Sequence, residues 1–167
     1  MVSSNLTFFL AEGKPTYTDG GVAAEYTWII VVLPFLAALL ITFLGKYLPL
    51  QGAEIALGTI GFIFAFSSYL LYLNVTEGVA SEFFINVGSI GSFDLEFGWV
   101  VDGLSIMMYF VVGTVATLVF IYATNYMKGE VRYTFFFTSL TLFAGSMLVL
   151  VSSPTLLQLL IGWELVG

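Results

Sequence analysis

Four stretches of this chain are each as long and as apolar as a helix that crosses a bilayer, and nothing else in the sequence limits the fold so severely. A hydrocarbon core takes roughly 20 helical residues to cross. The first stretch runs from about Tyr26 to Lys46 and the second from about Ala53 to Asn74. The third runs from about Asp102 to Met127, and the fourth from about Tyr133 to Ser152. A fifth begins at Pro154 and reaches Gly167, too short a run to cross. The expected fold class is an all-α integral membrane protein: a polytopic bundle of four complete transmembrane helices plus the start of a fifth. Residues 1–24 are expected as an extracytoplasmic tail and residues 25–167 as the membrane domain.

Composition agrees. Of 167 residues, 59% are hydrophobic and 9% charged, where a soluble domain carries about 25% charged residues. A large core cannot explain the deficit, because a small domain still needs a polar skin. The net charge of −7 argues against nucleic acid as a partner. With no cysteine and no histidine, the chain offers no thiolate or imidazole to iron–sulfur clusters, haem or zinc. The N-terminal "MVSSNLTFFLAEGKPTYTDGG" lacks the basic start and the long apolar run of a signal peptide.

Between the second and third apolar runs the texture changes. "FDLEFGW" alternates strictly, with Phe93, Leu95, Phe97 and Trp99 on one side and Asp94, Glu96 and Gly98 on the other. That is the period of a half-buried strand. Upstream, "FFINV" followed by the turn-rich "GSIGS" supplies a partner, so residues 83–99 are expected as a small surface hairpin capping the helix ends. Lys46 follows the first helix, and Lys128 and Arg132 follow the third. Short loops place these on one side, cytoplasmic by the positive-inside rule, with the N-terminus and the hairpin outside.

Helix starts can also be read. Asp102 opens the third helix in "VVDGLSIMM", where a carboxylate accepts from the exposed N–H groups of the first turn. Ser153 and Pro154 are expected to do the same for the fifth: a hydroxyl cap, then proline at the first helical position. Pro34 inside the first helix reads as a tolerated kink rather than a hinge. Gly145, between Ala144 and Ser146, suits a close helix contact. The hydroxyls of helix four, Thr134, Thr138, Ser139, Thr141 and Ser146, either bond back to their own backbone or reach across helices.

Glu164 is the anomaly. It lies ten residues beyond Pro154, which at 1.5 Å per residue is about 15 Å into a core about 30 Å thick. An acidic residue there costs on the order of 2.5–3.5 kcal/mol on insertion scales. Such a group normally faces a bundle interior or a hydrated path and pairs with something. A carboxyl out of water holds its proton tightly, and a nearby cation loosens it, so a movable partner would make a proton-loading site. The alternatives are a re-entrant segment or a polar helix end. Gln158, six positions earlier, points about 120° away around the helix, and no basic residue of this chain is expected at that depth.

These pieces together, "WVVDGLSIMM", "YATNYM" and "LFAGSMLVLVSSPTLLQLLIGWELVG", resemble the antiporter-like subunits of respiratory complex I. The likeness is to the subunit L type, counterpart of the fifth mitochondrially encoded NADH dehydrogenase subunit. It covers Trp99 to Gly167 well, while the first two helices match only in hydropathy and order. The resemblance implies a proton-translocating part of an NADH:quinone oxidoreductase in which Glu164, in the fifth helix, is a proton-transfer carboxylate coupled to a lysine on a later, broken helix. It also implies no cofactor in this chain, with flavin and iron–sulfur clusters in partner subunits. The expected partners are the other membrane subunits and the lipid of a prokaryotic cell membrane. Many relatives carry a histidine in helix three where Phe120 stands here, and relatives continue for hundreds of residues past "GWELVG". The chain is therefore expected to be the N-terminal portion of a larger protein. The competing readings are a subunit of a multisubunit sodium/proton antiporter and a truncated, non-transporting membrane scaffold.

Overall fold

The computed structural model describes Thr18, Asp19 and residues 26–90 and 93–167. The expected N-terminal tail lies outside the described residues apart from Thr18 and Asp19, which form strand β1. Helix α1 spans Trp28–Leu44 and runs into a short 3-10 turn at Gly45–Tyr47. Helix α2, Ala53–Glu77, continues past the expected end at Asn74 because nothing breaks it before Gly78. There the chain turns left-handed at φ +68, and the Gly78 N–H closes the last turn on the Asn74 carbonyl at 3.0 Å, a conformation that glycine adopts without steric cost.

The hairpin follows at once. Strand β2 (Val79–Ile90) pairs antiparallel with β3 (Phe93–Val101), with Phe83 opposite Trp99 and a bulge between Asn86 and Gly88. It is longer than the 83–99 read from the sequence, and "GSIGS" is not simply its turn. Gly88, Ser89 and Ile90 stay in register with Leu95, Asp94 and Phe93, and residues 91 and 92 lie outside the described residues. β1 joins the other edge of β2 in parallel, Thr18 opposite Val79. The sheet order β1-β2-β3 leaves β3 as an edge strand.

Helices α3 (Gly103–Tyr126) and α4 (Tyr133–Ser152) match the expected runs, and α5 covers Leu156–Val166. Among the described residues, four helices are long and apolar enough to span a bilayer, as in a multi-pass membrane protein. α1 packs on α2 and α4, α2 on α3, and α5 lies against α4. The core between them holds Ile30, Ile41, Ile60, Phe120, Phe137 and Leu148, all essentially inaccessible. Phe120, where many relatives are expected to carry histidine, meets Phe137 edge-on with ring centroids 6.1 Å apart. Outward, the bundle shows Leu36, Phe43, Leu118 and Phe135, the apolar exterior that lipid requires.

The two ends differ in chemistry. At one, the Thr134 hydroxyl donates to the Gln51 carbonyl at 3.1 Å, and Gln51 shares a cleft with Lys128 and Glu130. The α1–α2 and α3–α4 loops, with their basic residues, thus lie together. The sheet occupies the other end, where Val101 is buried with Leu70 and Ile106.

Small residues let the helices approach. A Cβ on Gly145 would stand 3.0 Å from the Pro34 ring and 3.1 Å from Phe35, and one on Gly113 would stand 3.2 Å from the Phe64 Cα. Pro34 is therefore a packing residue seated on α4. A side chain at position 145 must push α1 off α4, whereas a Cβ on Gly58 meets nothing within 4 Å. Gly145→Val is expected to destabilise the bundle by about 1–3 kcal/mol, and Gly58→Val to do so far less. Unfolding in mixed detergent micelles, compared for the two variants, checks this.

Candidate functional site

Glu164 owes its position to how α4 ends and α5 begins. The expected Ser153 cap is not what the structure forms. The Ser153 hydroxyl donates back to the Val149 carbonyl at 2.6 Å and its N–H to the Leu150 carbonyl, so Ser153 closes α4. Pro154 is part of the turn, and Thr155 opens α5: its Oγ1 accepts from the Gln158 N–H at 3.3 Å. The reason is local. A serine one turn past a free helix carbonyl bonds backward, and threonine is the next hydroxyl able to cap forward.

This delay places Glu164 about 12 Å along the helix from its first residue, in place of the expected 15 Å. A Cβ on Gly162 would lie 3.0 Å from both the Cα and N of Leu150, and Leu165 to Gly167 line a groove with Ser139, Leu142 and Phe143 of α4. Glu164 thus lies alongside the middle third of α4. Its side chain is exposed on the flank of the bundle, and no hydrogen bond or ion pair reaches it from the described residues.

The hydroxyls of α4 turn elsewhere. Thr138, Thr141 and Ser146 each donate to the carbonyl four residues back, at 3.0, 2.7 and 2.9 Å. Asp102 caps α3, its Oδ1 accepting from the Ser105 N–H at 2.7 Å in an extended backbone. No hydrogen bond links Asp102 to Glu164. Gln158 is the residue that sequence reasoning passed over. It is buried, and its carboxamide engages both backbone groups of Gly98: the Gly98 N–H donates to Oε1 at 2.9 Å, and Nε2 donates to the Gly98 carbonyl at 2.8 Å. The available signal was an amide alone in an apolar run, which has to find both a donor and an acceptor.

With this geometry in place, the chain can be set beside known proteins. The family described as NADH-Ubiquinone oxidoreductase (complex I), chain 5 N-terminus, matches residues 88–137. Subunit 5 of the NAD(P)H-quinone oxidoreductase from the chromatophore of Paulinella chromatophora is 38% identical over 152 residues, 87% of this chain and 23% of that protein. Chain 5 of the enzyme from Picosynechococcus is 39% identical over 150 residues, 86% of this chain and 23% of its own length. This chain is related to the N-terminal region of complex I chain 5. The chloroplast subunit 5 of Nuphar advena aligns at 33% identity over the same share of this chain, 86%, and 20% of its own. The chain thus spans between a fifth and a quarter of these chain 5 relatives. Alignment over so much of this chain also takes in α1 and α2, further than the Trp99–Gly167 likeness seen in the motifs.

The Asp102 cap can be separated from a role in transport. Asp102→Ala is expected to cost about 1 kcal/mol of stability, as loss of a cap does, and Asp102→Asn much less. Thermal unfolding of the two variants checks this, and a transport role would instead show as equal loss of ion movement in both.

Proposed function

We propose that this chain is the N-terminal part of a proton-translocating, antiporter-like subunit of a complex I-type NADH:quinone oxidoreductase, with Glu164 as its membrane-embedded proton-transfer carboxylate. The observation that carries this reading is the place of Glu164: about 12 Å along an apolar helix, on an exposed flank of α5, with no hydrogen bond or ion pair from the described residues. A carboxylate costs too much there to persist as decoration. The flank it occupies is the face on which further helices would pack, and the resemblance in the motifs implies that one of them brings a lysine.

The chemistry then follows from solvation and charge. Out of water and without a counter-charge, a carboxyl keeps its proton; when a cation approaches, the ionised form is favoured and the proton leaves. Redox steps elsewhere in the complex that move the cation would thereby load and unload the site. Flavin and iron–sulfur clusters belong to partner subunits in this reading, and this chain contributes only proton transfer. The basic loops face the cytoplasm of a prokaryotic cell, and the N-terminus and hairpin face outward.

Glu164→Gln in the complete complex keeps the size and the hydrogen-bonding capacity of the side chain and removes its titration. Proton pumping is expected to fall sharply while assembly survives. Normal pumping by this variant, or by Glu164→Leu, would end the assignment and favour a scaffold. The orientation is checked separately: the chain has no cysteine, so a single cysteine at Lys128 should react with an impermeant maleimide only from the cytoplasmic side.

A further inference from the structure

We infer that Gln158 is a positioning residue for Glu164, fixing the rotation and height of α5 by clamping it to the surface hairpin; this rests on the reading of Glu164 given above. As an edge strand, β3 has one side not paired with β2. Edge backbone groups need partners, above all beside a membrane where water is scarce. At Gly98 those partners come from a single side chain. The Gln158 carboxamide accepts from the Gly98 N–H at 2.9 Å and donates to the Gly98 carbonyl at 2.8 Å, as a neighbouring strand would.

Two bonds to one residue hold more than one could. A single hydrogen bond lets a helix swivel, whereas a paired donor and acceptor fix both the direction of the amide and its height above the strand. The amide is buried, so water does not compete for it. One turn further along the same helix face, Gly162 lies against the Leu150 backbone, which holds the same face toward α4. Glu164 is six residues from Gln158, about 120° around and about 9 Å along, and so is directed away from the clamped face. With no hydrogen bond or ion pair of its own from the described residues, its carboxylate points where the clamp sends the helix. A proton-transfer group is sensitive to such placement, since a misplacement of about 1 Å caused by a distant change can cost up to about a hundredfold in rate.

The test uses the complete complex, with quinone reduction, protons pumped per electron and the infrared carboxyl band that vanishes in Glu164→Gln as readouts. Gln158→Met keeps the volume and removes both bonds. It is expected to leave quinone reduction running, to lower pumping by about tenfold and to move the Glu164 band, which a merely structural loss of stability would not do. Gln158→Glu is expected to restore pumping, because a buried, protonated carboxyl again supplies one donor and one acceptor. If Gln158→Met does not assemble, Gln158→Asn decides: its shorter amide draws α5 toward β3, so a shifted Glu164 band supports the inference and an unshifted band overturns it. Normal pumping and an unmoved band in Gln158→Met would also overturn it. Normal pumping in Glu164→Gln would instead remove the reading of Glu164 itself, and the two failures are told apart by which variant pumps.

Discussion

Hydrocarbon supplies no hydrogen bonds, so each polar group of a membrane-embedded chain must be satisfied by the protein itself. Nearly every polar side chain described in these helices meets that demand by the shortest route. Thr42, Thr114, Thr117, Thr138, Thr141 and Ser146 all donate to the carbonyl four residues behind them. Such bonds cost little and bind no second helix. Thr134 and Ser105 instead donate to the Gln51 and Val151 carbonyls of other segments, and two further groups depart more sharply. Gln158 is too long and too polar to be served by its own helix, and it reaches the hairpin. Glu164 receives no hydrogen bond or ion pair from the described residues.

Because hydroxyls are spent on their own backbones, the helices are held to one another by close packing. The crossing points fall where a side chain is missing. Gly145 receives Pro34 and Phe35, Gly113 receives the α2 backbone at Phe64, and Gly162 receives the α4 backbone at Leu150. Lipid tails are as apolar as leucine, so contact distance rather than water exclusion decides which faces adhere. The aromatic pair of Phe120 and Phe137 fills the centre between α3 and α4. An imidazole at position 120 would need a hydrogen-bond partner there, and the surrounding core is built from hydrocarbon.

The hairpin ties these elements at one end. Its second strand runs into α3 with only Asp102 between them, and that residue caps the helix. Its edge is closed by α5 through Gln158, and its base is joined by β1. The surface sheet is therefore connected by hydrogen bonds to the helix that carries Glu164, while the basic loops lie at the far end.

The number, length and order of the membrane helices were legible in the sequence, because each depends on a local property: some twenty apolar residues in a row, ended by charge, glycine or proline. The Asp102 cap was legible for the same reason, as was the alternating second strand. Local signals misled where two neighbours compete for one task. Ser153 and Thr155 could each open α5, and only the geometry of the last α4 turn gave the cap to Thr155. The length of the first strand was hidden because its alternation is weak. The distance of Glu164 along α5 from the start of the helix could be counted to within a few ångströms. Its exposure, the contact of Gly162 with Leu150 and the clamp of Gln158 on Gly98 could not, since they join residues far apart in sequence and depend on which helix faces meet. The sequence by itself determined that a lone carboxylate stands in the apolar run of α5; the tertiary structure alone decided that it is exposed on the flank of the bundle and that Gln158 bonds the hairpin, because side-chain pairing across elements depends on packing that no local pattern encodes.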